Sequence, residues 1–231
     1  MPSYPDWKSK RAAQLGVDEA PGDWIWFDTY PGYEDWYHVG NARAVANSAR
    51  QKGLPPELGI AAAMDESGLA NTGGLNLMRV FMDKHPEAQK AVDAIEDDFS
   101  GRINQLIETP AYKDAGDLLI GAKTGPLPQE KEQYIQDLVS QREDKKASYL
   151  VDYGMDYLKK GVDKYGLNPT GLQVYSGKGS KPYGGRTKGK YFGKSQVGMD
   201  LRKTKDQGTR KMALMQAVRE HPDFQSILNE E

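Results

Sequence analysis

The segment Gln129–Tyr165 constrains the fold most, because it contains no proline and its only internal glycines are Gly154 and Gly161. Its apolar and aromatic residues recur at spacings near three and four: Tyr134, Ile135, Leu138, Val139, Tyr149, Leu150, Tyr153, Tyr157 and Leu158. That spacing places them along one face of an α-helix. The segment is therefore predicted to form one long helix, or two helices with a break near Asp144.

Further helices are predicted on both sides of this segment. An alanine-rich run over residues 41–53 ends at Gly53, which is typical of a helix C-terminus. Prolines at the start of Leu54–Met64, followed by apolar residues, predict a short buried helix that ends near Gly68. Other elements are expected at residues 76–84, 86–97, 100–108, 111–119 and 204–219, from Asn168, and after Pro222.

Residues 1–40 differ in composition from the rest of the chain, since they are rich in proline, glycine and aspartate and contain all four tryptophans. They are predicted to form an irregular, aromatic-rich N-terminal arm with little helix. The cluster Trp24–Phe27 fits a short strand, a core plug or a sugar-stacking platform, and core or interface use is favoured. The predicted fold class is therefore mainly α with this arm attached.

Composition excludes several kinds of site. The chain of 231 residues has no cysteine, which rules out disulfides, thiolate catalysis and zinc–cysteine centres. Its histidines, His38, His85 and His221, lack the spacing of metal ligands, so neither a metal nor a cofactor is expected. No long apolar run predicts a membrane span, and the first residues lack the pattern of a signal peptide. Synthesis in a cytoplasm is the resulting expectation.

The net charge of −2 conceals a strong asymmetry. Between Ala12 and Ala42 there are acidic residues and no lysine or arginine, whereas residues 177–211 carry eleven lysines and arginines against Asp200 and Asp206. These can be two solvated faces. The alternative is that the basic segment binds a polyanion, such as a cell wall, a nucleic acid or an acidic protein.

Glu66 is the candidate catalytic residue. It follows an apolar predicted helix and lies between Met64 and Leu69. Burial against such neighbours disfavours the charged form of a carboxyl, and a protonated carboxyl can act as a general acid toward a glycosidic oxygen. On the local sequence alone, a solvated helix cap remains an open alternative.

The wider pattern resembles a known superfamily. Leu58–Leu69 contains Asp65-Glu66-Ser67-Gly68, and Gly74-Leu75-Asn76-Leu77-Met78 follows. This resembles the first motif of lytic transglycosylases and goose-type lysozymes, in which an apolar helix ends in Glu-Ser-Gly before a Gly-Leu-Met-type segment. The run Gly171–Gly179 resembles their Tyr-Asn-x-Gly segment. It is also similar to a glucosaminidase-like lysozyme domain of tailed-phage virion proteins, whose Tyr-Gly-Lys and Asp-Leu-Arg elements match 191–194 and 200–202.

The resemblance covers Leu54–Arg202. It implies a lysozyme-like domain over 41–231, with a long helical insert at about 128–165 and a basic loop at 177–211. It also implies that Glu66 is the general acid/base and that Tyr175 is its hydrogen-bonding partner. The substrate-binding residues that it implies are Ser67, Gly74, Asn76, Met78, Gln173, Ser176 and Gly177. Ser176 departs from the family pattern, which has asparagine there.

No second catalytic carboxylate is placed by the sequence. Helical neighbours differ by about 100°, so Asp65 is expected to point away from Glu66. A single-acid mechanism is therefore predicted, completed by the N-acetyl or 6-hydroxyl group of the substrate.

Three functions remain open at this level. The first is a phage-encoded, virion-associated enzyme that cleaves bacterial peptidoglycan. The second is a non-catalytic structural protein of the virion that keeps the lysozyme-like fold and contacts other virion proteins. The third, favoured least, is a nucleic-acid binder that uses residues 177–211, where aromatic residues alternate with lysines.

Overall fold

The protein is mainly helical. Its computed structural model describes residues 23–30, 33–70, 76–80, 82–108, 129–173 and 206–230. The helices are α1 (Val39–Gln51), α2 (Pro56–Ser67), α3 (Pro86–Glu108), α4 (Gln129–Tyr165), α5 (Pro169–Gln173), α6 (Gln207–Glu220) and α7 (Gln225–Leu228). Short 3₁₀ turns and two strands complete these ranges: Gly68–Ala70, Met82–Lys84, Pro222–Phe224, β1 (Trp24–Phe27) and β2 (Asp35–His38).

The chain divides into two compact units. The first comprises Met1–Arg79 with Val151–Glu231, and the second comprises Val80–Leu150. The predicted division into an arm over 1–40 and a domain over 41–231 stays a prediction. No helix within the described ranges is both long and apolar enough to cross a membrane.

Most predicted helices are present. Gln129–Tyr165 is a single helix, which decides between the two alternatives left open by its spacing. Pro86–Glu108 is also one helix rather than the two predicted. The helix predicted over 76–84 is wrong, because Arg79 takes a left-handed conformation with φ 49° and only a 3₁₀ turn follows. The helix predicted over 111–119 lies outside the described residues.

The first unit is built around α2, whose residues Leu58–Met64 are all buried. Gly59 allows α1 to approach closely, since a Cβ at this position would lie 2.5 Å from the carbonyl oxygen of Val45. The matching stripe of α1 consists of the buried residues Ala42, Val45, Ala46 and Ala49. Small side chains on both helices therefore explain how closely α1 packs against α2.

Strands β1 and β2 form an antiparallel hairpin, in which Trp24 pairs with His38 and Trp26 with Trp36. The opposite face of β1 belongs to the core, because Phe27 is fully buried and its ring lies 6.4 Å from that of Phe224. Trp24–Phe27 is therefore a strand with a core function. A sugar-stacking role for its tryptophans stays a prediction.

The second unit contains α3 and the first part of α4. Phe99 and Ile103 of α3 and Leu138 of α4 are buried together. Lys146 donates a 2.5 Å hydrogen bond to Glu96, so polar contacts also join these two helices.

Candidate functional site

Glu66 lies at the C-terminal end of α2, where the helix stops abruptly. Gly68 caps the helix in a left-handed conformation with φ 61°, and Leu69 follows with φ 52°. Glycine adopts this conformation without steric cost, whereas leucine does not. The fully buried Leu69 side chain and a 2.9 Å hydrogen bond from Asn41 Nδ2 to the Leu69 carbonyl hold the turn in place.

Backbone strain is concentrated around this turn. Leu69 and Arg79 are the two non-glycine residues with positive φ in the part of the chain that the structure describes. The Arg79 guanidinium lies 3.4 Å from the backbone carbonyl oxygen of Glu66, so this residue contacts the end of α2. Left-handed non-glycine residues cluster at functional sites, where the surrounding structure maintains the strain.

The two halves of the first sequence motif meet at Ser67. Its hydroxyl donates a 2.6 Å hydrogen bond to the carbonyl oxygen of Leu77, and Met78 next to it is fully buried. The Glu-Ser-Gly and Leu-Met segments therefore lie side by side.

Lys211 of α6 is the hydrogen-bonding partner of Glu66. Its Nζ donates at 2.7 Å to Oε1 of Glu66 and at 2.8 Å to Oδ2 of Asp65. The Lys211 side chain is 0% exposed and that of Asp65 is 1% exposed, whereas Glu66 retains 10%. Glu66 is thus the one carboxylate of the pair that keeps measurable access to solvent.

Asp65 is held by donors on both of its oxygens. Tyr33 Oη and Arg210 Nε each donate to Oδ1 at 2.7 Å, while Lys211 and Arg210 Nη2 donate to Oδ2. Burial by itself raises the pKa of Asp65, but the charge of Lys211 and the hydrogen bonds from Arg210, Lys211 and Tyr33 outweigh it. The net effect is a pKa below the ordinary value, so Asp65 is a structural anion.

The expectation that Asp65 points away from Glu66 is wrong, because both carboxylates bind one ammonium. The angular offset between helical neighbours is real, but a long lysine side chain from the facing helix reaches the space between them. A shared cation therefore brings the two groups to one place.

The sequence around α6 explains how its two cations arrive there. Asp206 caps the helix by accepting hydrogen bonds from the backbone of Gly208 and Thr209. Gly208 lets α6 lie against α5, since a Cβ would sit 1.9 Å from the carbonyl oxygen of Pro169. These contacts fix the start of α6 at Gln207, three residues before Arg210.

Helices α2 and α6 pack against each other in antiparallel orientation. Arg219, near the end of α6, donates a 2.8 Å hydrogen bond to Glu57 at the start of α2. The acidic C-terminal end of α2 therefore faces the basic N-terminal end of α6. A helix C-terminus carries partial negative charge, so cations from a neighbouring helix are favourable there.

Sequence reasoning did not identify Tyr33, Arg210 or Lys211. A signal for Lys211 was present, since it occupies the same helical stripe as Leu214, Met215 and Val218, all of which are buried. A lysine on an apolar stripe requires a buried anion as its partner.

The remaining predicted site residues divide into two groups. Ser67 follows Glu66 and donates a hydrogen bond to Leu77, the residue between Asn76 and Met78, and Gln173 is the last residue of α5. The predictions for Gly74, Tyr175, Ser176 and Gly177 lie outside the described residues, as does most of the basic loop over 177–211.

Within the described ranges, no group of three or more histidine, aspartate or glutamate side chains is arranged to hold a metal ion. Comparison with protein-family models, curated proteins and solved structures finds no match for the chain. Functional inference therefore depends on the chemistry of Glu66 and its surroundings.

Proposed function

We propose that the protein is a peptidoglycan-cleaving glycosidase or lytic transglycosylase with Glu66 as its general acid/base. The proposal includes a phage origin and association with the virion, which follow from the sequence resemblance alone. The observation that carries the catalytic part is the position of Glu66, a largely covered carboxylate in the last turn of α2, directly before the left-handed Gly68 and Leu69.

The geometry supports Glu66 over its neighbour. Asp65 is saturated with donors and 1% exposed, so it cannot approach a substrate. In the described part of the chain, only Lys211 donates to the Glu66 carboxylate, and it does so to Oε1. The second carboxylate oxygen of Glu66, Oε2, is therefore the atom proposed to donate the proton to the glycosidic oxygen.

The proposed reaction needs one carboxyl. Glu66 donates its proton to the glycosidic oxygen as the bond from that oxygen to the anomeric carbon breaks. The 6-hydroxyl oxygen of the substrate then bonds to the anomeric carbon, and the hydroxyl proton returns to Glu66. The products are a shortened glycan and an anhydro sugar. Attack by water on an intermediate formed with the N-acetyl group gives hydrolysis instead.

One observation favours the second candidate, a non-catalytic virion protein that retains the fold. Glu66 is paired with a buried ammonium, and that pair by itself accounts for a contact between α2 and α6 without any turnover. The replacement of the family asparagine by Ser176 points in the same direction.

Zymography on purified bacterial cell walls separates the two candidates. The wild-type protein is expected to clear the wall substrate, and Glu66→Gln is expected not to, because an amide cannot donate the proton. Glu57→Gln is the matched control, since Glu57 is also an α2 carboxylate paired with a cation of α6. No clearing by wild-type protein would favour the structural candidate.

A further inference from the structure

We propose that Lys211 is the positioning residue of the site, which holds Glu66 in place and stabilises the carboxylate left after proton donation. The inference rests on the proposed function and adds to it a second residue, on a different helix. It starts from a cation that is completely buried and contacts two carboxylates at 2.7 and 2.8 Å.

The position of Lys211 suits this role better than that of any other cation in the cluster. Of the two carboxylates, Arg210 donates to that of Asp65, and Arg79 donates to the backbone carbonyl of Glu66 rather than to its side chain. Lys211 alone, among the described residues, donates to the Glu66 carboxylate. It is itself fixed by Asp65, whose other oxygen is bound by Tyr33 and Arg210.

A continuous chain of hydrogen bonds connects the hairpin loop to the Glu66 carboxylate. Tyr33 and Arg210 orient Asp65, Asp65 orients Lys211, and Lys211 orients Glu66. An ammonium fixed in this way contacts the ionised form of Glu66, which appears as the proton passes to the glycosidic oxygen. Because the donors are already in place, little reorganisation is required at that step.

The charges around Glu66 also determine in which direction the pH profile of activity should shift when Lys211 is replaced. Asp65 on α2, Arg210 on α6, Tyr33 beside the hairpin and Arg79 after the turn face the cluster together with Lys211. Lys211 is the cation that the two carboxylates share. Without it, Arg210 still contacts Asp65 but no described cation donates to the Glu66 carboxylate, and proton uptake by the carboxylates becomes more favourable.

The test is the lytic activity of Lys211→Met, in which a side chain of similar length lacks the charge. The expected result is a loss of about tenfold or more in kcat with little change in KM, and a shift of the pH profile to higher pH. Lys211→Arg, which keeps the cation, is expected to recover part of the activity and the wild-type pH profile. Arg219→Met is the matched control, because it removes another α6 cation paired with α2 and leaves Glu66 untouched.

A second measurement does not depend on activity. A double-mutant cycle of Lys211→Met and Glu66→Gln in urea unfolding is expected to show coupling of about tenfold in the unfolding constant. The cycle of Arg219→Met with Glu66→Gln is expected to be additive. Absence of lysis by wild-type protein would overturn the proposed function alone. Additivity of the Lys211 cycle, or an unchanged pH profile in an active Lys211→Met protein, would overturn the role of Lys211.

Discussion

The hydroxyl of Tyr33 donates a 2.7 Å hydrogen bond to Asp65, joining the loop between the two strands to the end of α2. Burial, together with the charge and hydrogen bond of Asp65, raises the pKa of Tyr33 above its ordinary value. The hairpin therefore takes part in the polar cluster around Glu66. This link connects the aromatic N-terminal region to the candidate site.

Asp65→Asn should make stability less sensitive to acid. The lowered pKa of Asp65 means that its contribution is complete above the unfolded-state value of about 3.9 and disappears as pH falls through the folded-state value. At neutral pH the variant is expected to lose about 3–5 kcal/mol of unfolding free energy, because Lys211 and Arg210 lose a buried anion.

Urea unfolding at pH 7 and at several values below 4 checks this expectation. The difference between wild type and variant should shrink as the pH falls. Asp156→Asn is the control, since Asp156 forms a surface pair with Lys52 and should change stability little. A difference that is constant down to pH 2 would show that Asp65 is not held ionised by its neighbours.

Gly59→Ala tests the close contact between α1 and α2. The added methyl group would lie 2.5 Å from Val45 O and 2.9 Å from Ala49 Cβ, so the helices must separate. The expected loss is about 1–3 kcal/mol of unfolding free energy, measured by thermal or urea denaturation. Gly101→Ala in α3 is the control, because its Cβ meets nothing within 4 Å and should stabilise the helix by about 0.5–1 kcal/mol. Equal effects at both sites would be inconsistent with the packing.

Much of the fold follows from periodicity. Gln129–Tyr165 repeats its apolar residues at helical spacing without proline, and α2 combines an N-terminal proline with buried residues that end at a glycine. Local sequence determines such elements. The segment 76–84 shows the opposite case, since the left-handed Arg79 depends on tertiary contacts that no local pattern contains.

The candidate site was only partly predictable for the same reason. Glu66 was identified from its motif, because the motif is contiguous. Arg210 and Lys211 come from a helix that is more than 140 positions away in the sequence, and their pairing with α2 depends on how α6 packs. Both belong to the basic segment 177–211, which the sequence predicts to be either a solvated face or a polyanion-binding segment, whereas Lys211 is fully buried against two carboxylates.

Tyr175→Phe should lower lytic activity without weakening retention on cell walls. The sequence resemblance implies that the Tyr175 hydroxyl hydrogen-bonds Glu66 or the adjacent sugar, and a hydroxyl can both donate and accept. Turbidity loss of a wall suspension measures the activity, and sedimentation with walls measures retention. Tyr134→Phe, at an exposed position of α4, is the control. Wild-type activity in the Tyr175 variant would leave Tyr175 with a packing role only.

The basic loop should govern wall binding at low ionic strength. Reversal of Lys188, Lys190 and Lys194 to glutamate is expected to reduce retention, with the largest loss at low salt, since the Debye length is about 8 Å at physiological ionic strength. Sedimentation with purified walls across a salt series is the measurement. The control is a variant of the same net charge in which three lysines of α4 are changed to glutamate instead: Lys131, Lys160 and Lys164. Equal retention of the two variants at low salt would make the loop a solvated segment.

Mass spectrometry of muropeptides released from purified peptidoglycan by wild-type protein and by Glu66→Gln tests directly whether Glu66 is the general acid/base. Soluble glycan fragments are expected from the wild type, with anhydro ends for transglycosylation or reducing ends for hydrolysis, and none above background from the variant. Circular dichroism of the variant should match that of the wild type, since the two side chains have nearly the same shape. Fragments released by Glu66→Gln at the wild-type rate would contradict the assignment of Glu66 as the general acid/base.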